Sequence, residues 1–318
     1  MKILHIGDVE GIPLILAKAQ RKLGYKSDVL SYQRHPFDYG VDYCFPLNSG
    51  FPINHIEKMI IFSKFLSKYD VYHFHGGTLL PKGIDSVLWK YLKKKLVIHH
   101  HGSDIRYTGE KLIYSKFADK IFVSTPDLLE WSPCAIWIPN PISLDSFHYV
   151  GVENKVKSEN INIVHAPSNR AKKGTEYILK AINKLKNEGY KINLILVENM
   201  PHNKAIEYYK KADIVIDQLL IGWYGLFAVE CMALGKPVCV YIRDDLESYM
   251  PFNPIINTSS TNIAENLRIL IEDGRLRKEV GDKGRKYVEE MHDAKEVAKE
   301  VIRFYNVDEI TSGLHSPK

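Results

Sequence analysis

The stretch Ala212–Val238, ADIVIDQLLIGWYGLFAVECMALGKPV, decides the fold. Ile214–Ile216 is a short apolar run rich in β-branched residues, which predicts a buried parallel strand. A loop carrying Gly222 and Gly225 follows. Leu226–Leu234, LFAVECMAL, is made of strong helix formers, and Gly235 with Pro237 stops it. Pro237–Tyr241 reads as the next strand. The unit is therefore strand, glycine loop, helix, strand. A glycine loop that opens a helix leaves backbone N–H groups free at the positive end of the helix dipole, and both attract a phosphate. Glu230 lies about one turn inside that helix, where a carboxylate can accept hydrogen bonds from a ribose diol. A plain strand–helix–strand unit with close-packed glycines and a solvated Glu would read the same from spacing alone.

Outward from this stretch, strands and helices alternate along the whole chain. Before it come strands at Lys2–Ile6, Ser27–Ser31, Val71–His75, Leu96–His99, Ile121–Ser124 and Ala135–Ile138. Helices are expected at Leu14–Leu23, Ile53–Ser67, Ile84–Lys94 and Glu110–Phe117. A second series opens with a strand at Ile161–Ala166, a helix at Thr175–Glu188, a strand at Ile192–Val197 and a helix at Lys204–Lys211. After the opening stretch come helices at Asn262–Glu272, Arg275–Met291 and Ala294–Tyr305. Such alternation implies doubly wound parallel sheets, with ligands at the carboxyl ends of the strands. Between the two series, Gly151–Asn160 is polar and poor in apolar residues, and is the best linker. The expected division is 1–155, 156–293, a final helix over 294–306 and a tail over 307–318.

The chain has 318 residues, enough for two domains with their own cores. Hydrophobic content of 45% and charged content of 25% are those of an ordinary globular protein. Cys44, Cys134, Cys231 and Cys239 form no C-x-x-C pair, which favours a reducing compartment over a disulfide framework. MKILHIGD enters a strand at once, and no apolar run is long enough for a signal peptide or a membrane span, so a cytoplasmic protein is expected. Most of the formal net charge of +5 sits in the first 150 residues, densest at Lys90 and Lys93–Lys95. These lysines could make peripheral contact with anionic lipid at the cytoplasmic membrane face; a solvated helix end favoured by the C-terminal dipole is the simpler account. Nothing points to nucleic acid.

The opening stretch resembles the donor-site segment of retaining glycosyltransferases of family 4, which have the GT-B fold. That pattern runs from an acidic residue through G-F-G-L to a second Glu and then A-M-A-x-G-K-P-V. Here the residues are Gly222, Trp223, Tyr224, Gly225, Leu226, Glu230, then Cys231 through Val238 in ungapped register. The resemblance implies two Rossmann-like domains facing an interdomain cleft, with the last helix crossing back to the first domain. It implies a nucleotide-sugar donor, a glycan, lipid-linked or small-molecule acceptor, net retention, and no cofactor or metal. Gly222 stands where the family has its first acidic residue, so sugar recognition would have to be rebuilt from Asp217, Gln218 or Trp223. Trp223 could stack on a sugar or simply pack the loop.

Three further segments fit the resemblance. His165–Thr175 looks like the family's arginine-and-lysine loop: Lys173-Gly174 matches its K-G pair, and Arg170, three residues before the lysine, takes the arginine's role in a shortened loop. The diphosphate leaving group gathers negative charge as the glycosidic bond breaks, and without a metal an Arg fork and a Lys point charge must stabilise it. His99–Asp104 resembles the first-domain segment that points a histidine at the donor sugar, and His101 matches best. Glu198-Asn199 occupies the family's turn near the nucleotide base but lacks its glycines, so the base is not legible. The aromatic loop Gln33–Pro52 could stack on an acceptor or pack on its own core.

Other readings compete with the resemblance. A zinc site among His73, His75 and His99–His101 would need three or four converging ligands, and the usual spacing is missing. Asp244-Asp245 reads as a surface turn. At the level of function, the rivals are a nucleotide-sugar epimerase of the same fold and a catalytically silent nucleotide-sugar-binding subunit.

Overall fold

The computed structural model describes residues 1–7, 9–33, 40–47, 49–50, 52–153 and 160–306. Phe37, Tyr39 and Phe51 of the aromatic loop, most of the polar stretch 151–160 and the tail after Asn306 lie outside the described residues. The chain forms two compact units. Of the described residues, one unit holds Met1–Pro141 with Ala294–Asn306, and the other holds Ile142–Asp293.

In the first unit seven parallel strands form one sheet: β1 (Lys2–Ile6), β2 (Lys26–Ser31), β3 (Tyr43–Cys44), β4 (Val71–His75), β5 (Lys95–His100), β6 (Lys120–Val123) and β7 (Ile136–Trp137). Their order is β3-β2-β1-β4-β5-β6-β7, with Ile3 opposite Val71 and His5 opposite His73. Strand side chains alternate between faces, and each face has its own cover. On one, Leu4, Tyr72, Phe74, Leu96 and Ile98 meet α2 (Ile53–Ser63), α3 (Ser86–Tyr91) and α4 (Leu112–Phe117) through Phe62, Trp89 and Tyr114. On the other, Ile3, Val71, Val97 and Phe122 pack under α1 (Ile12–Lys22) and the closing helix Ala294–Asn306. Val297, Ala298, Val301 and Tyr305 of that helix are buried here. The helix expected over Ile84–Lys94 is shorter, because a 3-10 turn at Pro81–Gly83 precedes it and Lys93 takes a left-handed φ of 52° just after it.

The second unit holds a five-stranded parallel sheet: β8 (Ile161–His165), β9 (Ile192–Leu196), β10 (Ile214–Ile216), β11 (Val238–Val240) and β12 (Ile256–Asn257), in the order β12-β11-β10-β8-β9. Its helices are α5 (Arg170–Lys173), α6 (Thr175–Asn187), α7 (His202–Lys210), α8 (Leu226–Ala233), α9 (Ile263–Glu272) and α10 (Gly274–Met291). Every residue of α8 is buried, which explains why its sequence lacks a polar face. The unit begins at Ile142, ahead of the polar stretch that the sequence marked as the linker. Backbone bonds account for this. Ile142 N donates to His292 O, and Val150 N and Gly151 N both donate to Leu234 O. The two short strands β3 and β12 and the single helical turn α5 had no sequence signal strong enough to read.

Candidate functional site

β8 and β10 lie side by side, and the loops leaving their carboxyl ends carry the residues expected at the donor site. His165 ends β8. Its Nδ1 donates to the Ile216 carbonyl (2.8 Å), so its Nε2 accepts from the Thr175 hydroxyl (2.9 Å). Burial lowers its pKa to about 4, so the ring is neutral and can serve both bonds. It fixes the end of β10 against the start of α6, a positioning role the sequence did not reveal.

Between β8 and α6 the chain makes the turn α5. Asn169 caps it by accepting from Lys172 N (2.9 Å). Arg170 and Lys173 stand at i and i+3 of that turn, and their side chains reach toward opposite neighbours of β8, the ends of β9 and β10. The half-exposed Arg170 guanidinium donates to both carboxylate oxygens of Glu198, at 2.8 and 2.6 Å. The hydrogen bond from Arg170, with its charge, pulls the Glu198 pKa down. The residue from the expected base turn is thus the arginine's anchor.

Lys173 reaches the other way. Its Nζ donates to Asp217 Oδ1 at 2.7 Å, and the Asp217 side chain is fully buried at the end of β10. The second oxygen, Oδ2, accepts from Gly225 N at 2.7 Å. A Cβ at position 225 would stand 3.1 Å from Lys173 Nζ and 3.3 Å from Asp217 Oδ2, so any larger residue would press on this ion pair at the helix start. The Gly225 N–H is thus held by Asp217. The N–H groups of Leu226, Phe227 and Ala228 come before the first intrahelical bond of α8, from Val229 N to Gly225 O (3.3 Å).

Gly222 sits at φ 95°, and its carbonyl accepts from Arg243 N (3.0 Å). A Cβ there would come within 2.5 Å of Arg243 Cγ. Trp223 is buried and stacks on Tyr224 (4.6 Å between ring centres), and its carbonyl accepts from Gln218 Nε2. Tyr224 OH is bonded to Tyr287 OH (2.8 Å) and His292 Nε2 (3.0 Å). Trp223 and Tyr224 therefore pack the loop, and Asp217 and Gln218 are already engaged. Leu226 opens α8 as a buried core residue. Glu230 is buried in α8 with one oxygen 2.6 Å from His202 Nε2, at the start of α7. Burial raises its pKa and the His202 contact opposes that rise.

In the first unit, His101 joins a cluster the sequence had shown only as scattered histidines. His5 Nδ1 and His75 Nε2 are 3.0 Å apart, and His75 Nδ1 and His101 Nε2 are 2.9 Å apart. Ring centres 5.1 Å apart at 17° put His75 and His101 end to end, hydrogen-bonded along their ring axes. His73 and His99 stack on the faces of His75 and His101, at 4.5 and 4.4 Å. Burial is the first cause of the lowered pKa of all five rings, with His5 and His101 at about 4. The nitrogens of His5, His73 and His75, and of His75, His99 and His101, lie within 4.8 Å of one another. These are the residues a divalent ion would recruit, but it would have to displace one of the two bonds His75 makes, to His5 or to His101. Likewise, a sugar hydroxyl could reach His101 Nε2 only by displacing His75. A cavity of about 400 Å³ opens beside His75, with Tyr32, Asn54, Lys58 and Thr78 on its walls. Tyr43 and Phe45 of the aromatic loop instead pack edge-on against Phe65.

No family model and no curated protein matches the sequence. Solved structures do match, over nearly the whole chain. A sucrose-phosphate synthase from Thermosynechococcus elongatus aligns at 15% identity and a TM-score of 0.66, covering 96% of this chain and 98% of that one. An α-glucosyltransferase in complex with UDP and a mismatched DNA aligns at 13% identity and 0.69, over 96% and 100%. A structure described as a UDP-N-acetylglucosamine 2-epimerase from Listeria monocytogenes aligns at 15% identity and 0.60, over 95% and 94%. The fold of this chain is GT-B, two Rossmann-like units each built on a parallel sheet.

Proposed function

We propose that the protein is a glycosyltransferase that moves a sugar from a nucleotide-sugar donor to a glycan, lipid-linked or small-molecule acceptor, with retention. The observation that carries this reading is the group formed by Arg170, Lys173, Asp217 and Gly225 at the start of α8, on a GT-B scaffold. In this reading the donor diphosphate lies over the first turn of α8 and takes hydrogen bonds from the N–H groups that follow Gly225. Lys173 shares its charge between Asp217 and the diphosphate, and Arg170 turns part of its fork from Glu198 to the same group. Glu230 receives the ribose diol. His101 keeps the role at the sugar that the resemblance gives it.

Chemically, the bond from the anomeric carbon to the phosphate oxygen breaks as the acceptor oxygen bonds to that carbon from the same face. The acceptor's proton passes to the departing phosphate oxygen. Negative charge builds on the diphosphate, where Arg170 and Lys173 stabilise it better than they do the bound donor. These two cations do the work a divalent ion would otherwise do, so turnover is expected to survive a chelator. The cavity beside His75 is our candidate for the acceptor, and the protein is placed in the cytoplasm.

The test is a panel of nucleotide sugars assayed for binding and for slow hydrolysis without acceptor. Tight binding and turnover of one donor support the transferase. The epimerase fold relative favours one rival, which would convert the donor sugar itself with no acceptor present. Binding of every nucleotide sugar no tighter than of its bare diphosphate, with no turnover, would leave only a silent binding subunit.

A further inference from the structure

The outer surface of α2, α3 and α4 differs in kind from the rest of the first unit. On α2, Ile53, Ile56 and Ile60 are 57–59% exposed, and their spacing of three and four places them on one face. Ile84, Val87, Leu88 and Tyr91 repeat the pattern over α3 and the turn before it, with Tyr91 84% exposed. Leu112, 86% exposed, opens α4, which packs against α3. The two long faces are neighbours, since Phe62 of α2 and Trp89 of α3 meet edge to face beneath them at 5.2 Å. The opposite side of the same sheet is a built-in contrast. Neither α1 nor the closing helix exposes a large apolar side chain, and their outward residues are charged, as in the pair Lys299–Glu296. Apolar groups on this scale are left in water only where something covers them.

Charge identifies the cover. Residues 53–95 contain eight lysines, no arginine and three acids. Of the acids, Asp85 is buried and accepts from Thr78, Leu79 and Leu80, Asp70 accepts from Lys2 N, and Glu57 on α2 is partly buried. Lys64 lies one turn beyond Ile60 on the α2 face, and Lys68, Lys82, Lys93, Lys111 and Lys116 are exposed around the patch. A protein interface would be expected to be rich in arginine and aromatic residues and poor in lysine. Aliphatic side chains ringed by lysines are instead the composition of helices that lie in the headgroup region of an anionic bilayer. No helix among the described residues is long and apolar enough to cross a membrane.

We propose that the outer face of α2 and α3 seats the first unit on an anionic phospholipid surface, with the isoleucines entering the headgroup layer and the lysines held by lipid phosphates. The inference uses only this surface and does not rest on the glycosyl-transfer reading. The test is sedimentation of the full chain with vesicles of mixed phosphatidylglycerol and phosphatidylcholine, and with phosphatidylcholine alone. Binding should need the anionic lipid and should weaken in about 0.5 M salt, where charges are screened within a few ångströms. The variant I56S/I60S, at sites already exposed, and K64E/K93E should each weaken binding by at least about tenfold with circular dichroism unchanged, on the order of 1 kcal/mol or more per altered lysine. K295E/K299E on the closing helix should bind as the parent does. Absence of binding to anionic vesicles, binding that ignores lipid charge, or a concentration-dependent dimer that I56S/I60S abolishes in place of lipid binding would each overturn the proposal.

Discussion

Replacing Lys173 by Met tests whether the ion pair under the glycine loop holds the site together. Asp217 is fully buried, and its carboxylate has Lys173 Nζ and Gly225 N as partners, both at 2.7 Å. Loss of the lysine leaves a buried charge with one backbone donor, and removing one partner of a buried pair costs about 3–5 kcal/mol. Lys173 is 13% exposed, so water can reach its place and the lower end, about 3 kcal/mol, is expected. Asp217→Asn keeps an acceptor for Gly225 N and removes the charge, so K173M/D217N should be more stable than K173M alone. Their coupling should fall within about 0.5–3 kcal/mol, as for contacting residues. Trp223 is the tryptophan of the second unit and is buried. Fluorine NMR of fluorotryptophan-labelled protein through a urea series would therefore follow that unit by itself. A loss below about 1 kcal/mol in K173M, a value typical of surface ion pairs, would refute the reasoning, as would a double variant that equals the sum of the two singles.

Arg170→Ala should behave differently, because its bonds to Glu198 are solvent-exposed: stability should hardly change, while turnover falls about a hundredfold or more, as when one charge-stabilising donor is lost. Unchanged kcat on the preferred donor would remove Arg170 from the site. Glu230→Gln should weaken the free nucleoside diphosphate and the nucleotide sugar alike, since both carry the diol; calorimetry showing equal affinity for the diphosphate would make Glu230 only the partner of His202. The buried histidines set a pH window for the first unit. With folded values lowered from 6.5 to about 4 for His5 and His101, the unfolded chain binds more protons between those limits. Stability should be full above pH 6.5 and fall as the pH drops toward 4, by up to about 3 kcal/mol from His5 alone at 1.36 kcal/mol per pH unit. His99→Phe removes a buried ring with no protein partner at either nitrogen, and should flatten this fall in hydrogen-exchange melts; a steeper fall would contradict it.

Where the sequence was legible, one physical signal dominated. Apolar runs such as Ile214–Ile216 are buried on both faces, so composition marks them as strands, and the helix stops at Gly189 and Gly235 mark where neighbouring helices end. Lys173 and Glu230 were readable because they belong to local patterns. Their partners were not. Asp217 lies 44 residues from Lys173, Glu198 lies 28 from Arg170, and His202 lies 28 from Glu230, and no local spacing links them. Of the histidine cluster, the sequence grouped His73, His75 and His99–His101 but did not reveal His5 or the ring contacts, for the same reason. Its members come from β1, β4 and the end of β5, and only the strand order β1-β4-β5 brings the rings into line.

Gly222 shows how a single departure from a familiar pattern can be misread when it is taken one residue at a time. From sequence it is a missing carboxylate, and the natural question is which group replaces it. The structure shows that the backbone conformation and the neighbouring side chain both suit glycine here. At φ 95° an L residue is strained by roughly 1–2 kcal/mol, and the aliphatic part of Arg243 fills the space where a Cβ would begin. Arg243 is held there from both ends, by its own N–H to the Gly222 carbonyl and by its guanidinium on both oxygens of Asp245. Position 222 is therefore closed to a side chain while Arg243 keeps its place, and in the proposed glycosyltransferase reading the sugar is recognised by other groups. Restoring Glu at 222 would first have to evict Arg243, so the glycine and the arginine are one feature of the site and have to be changed together.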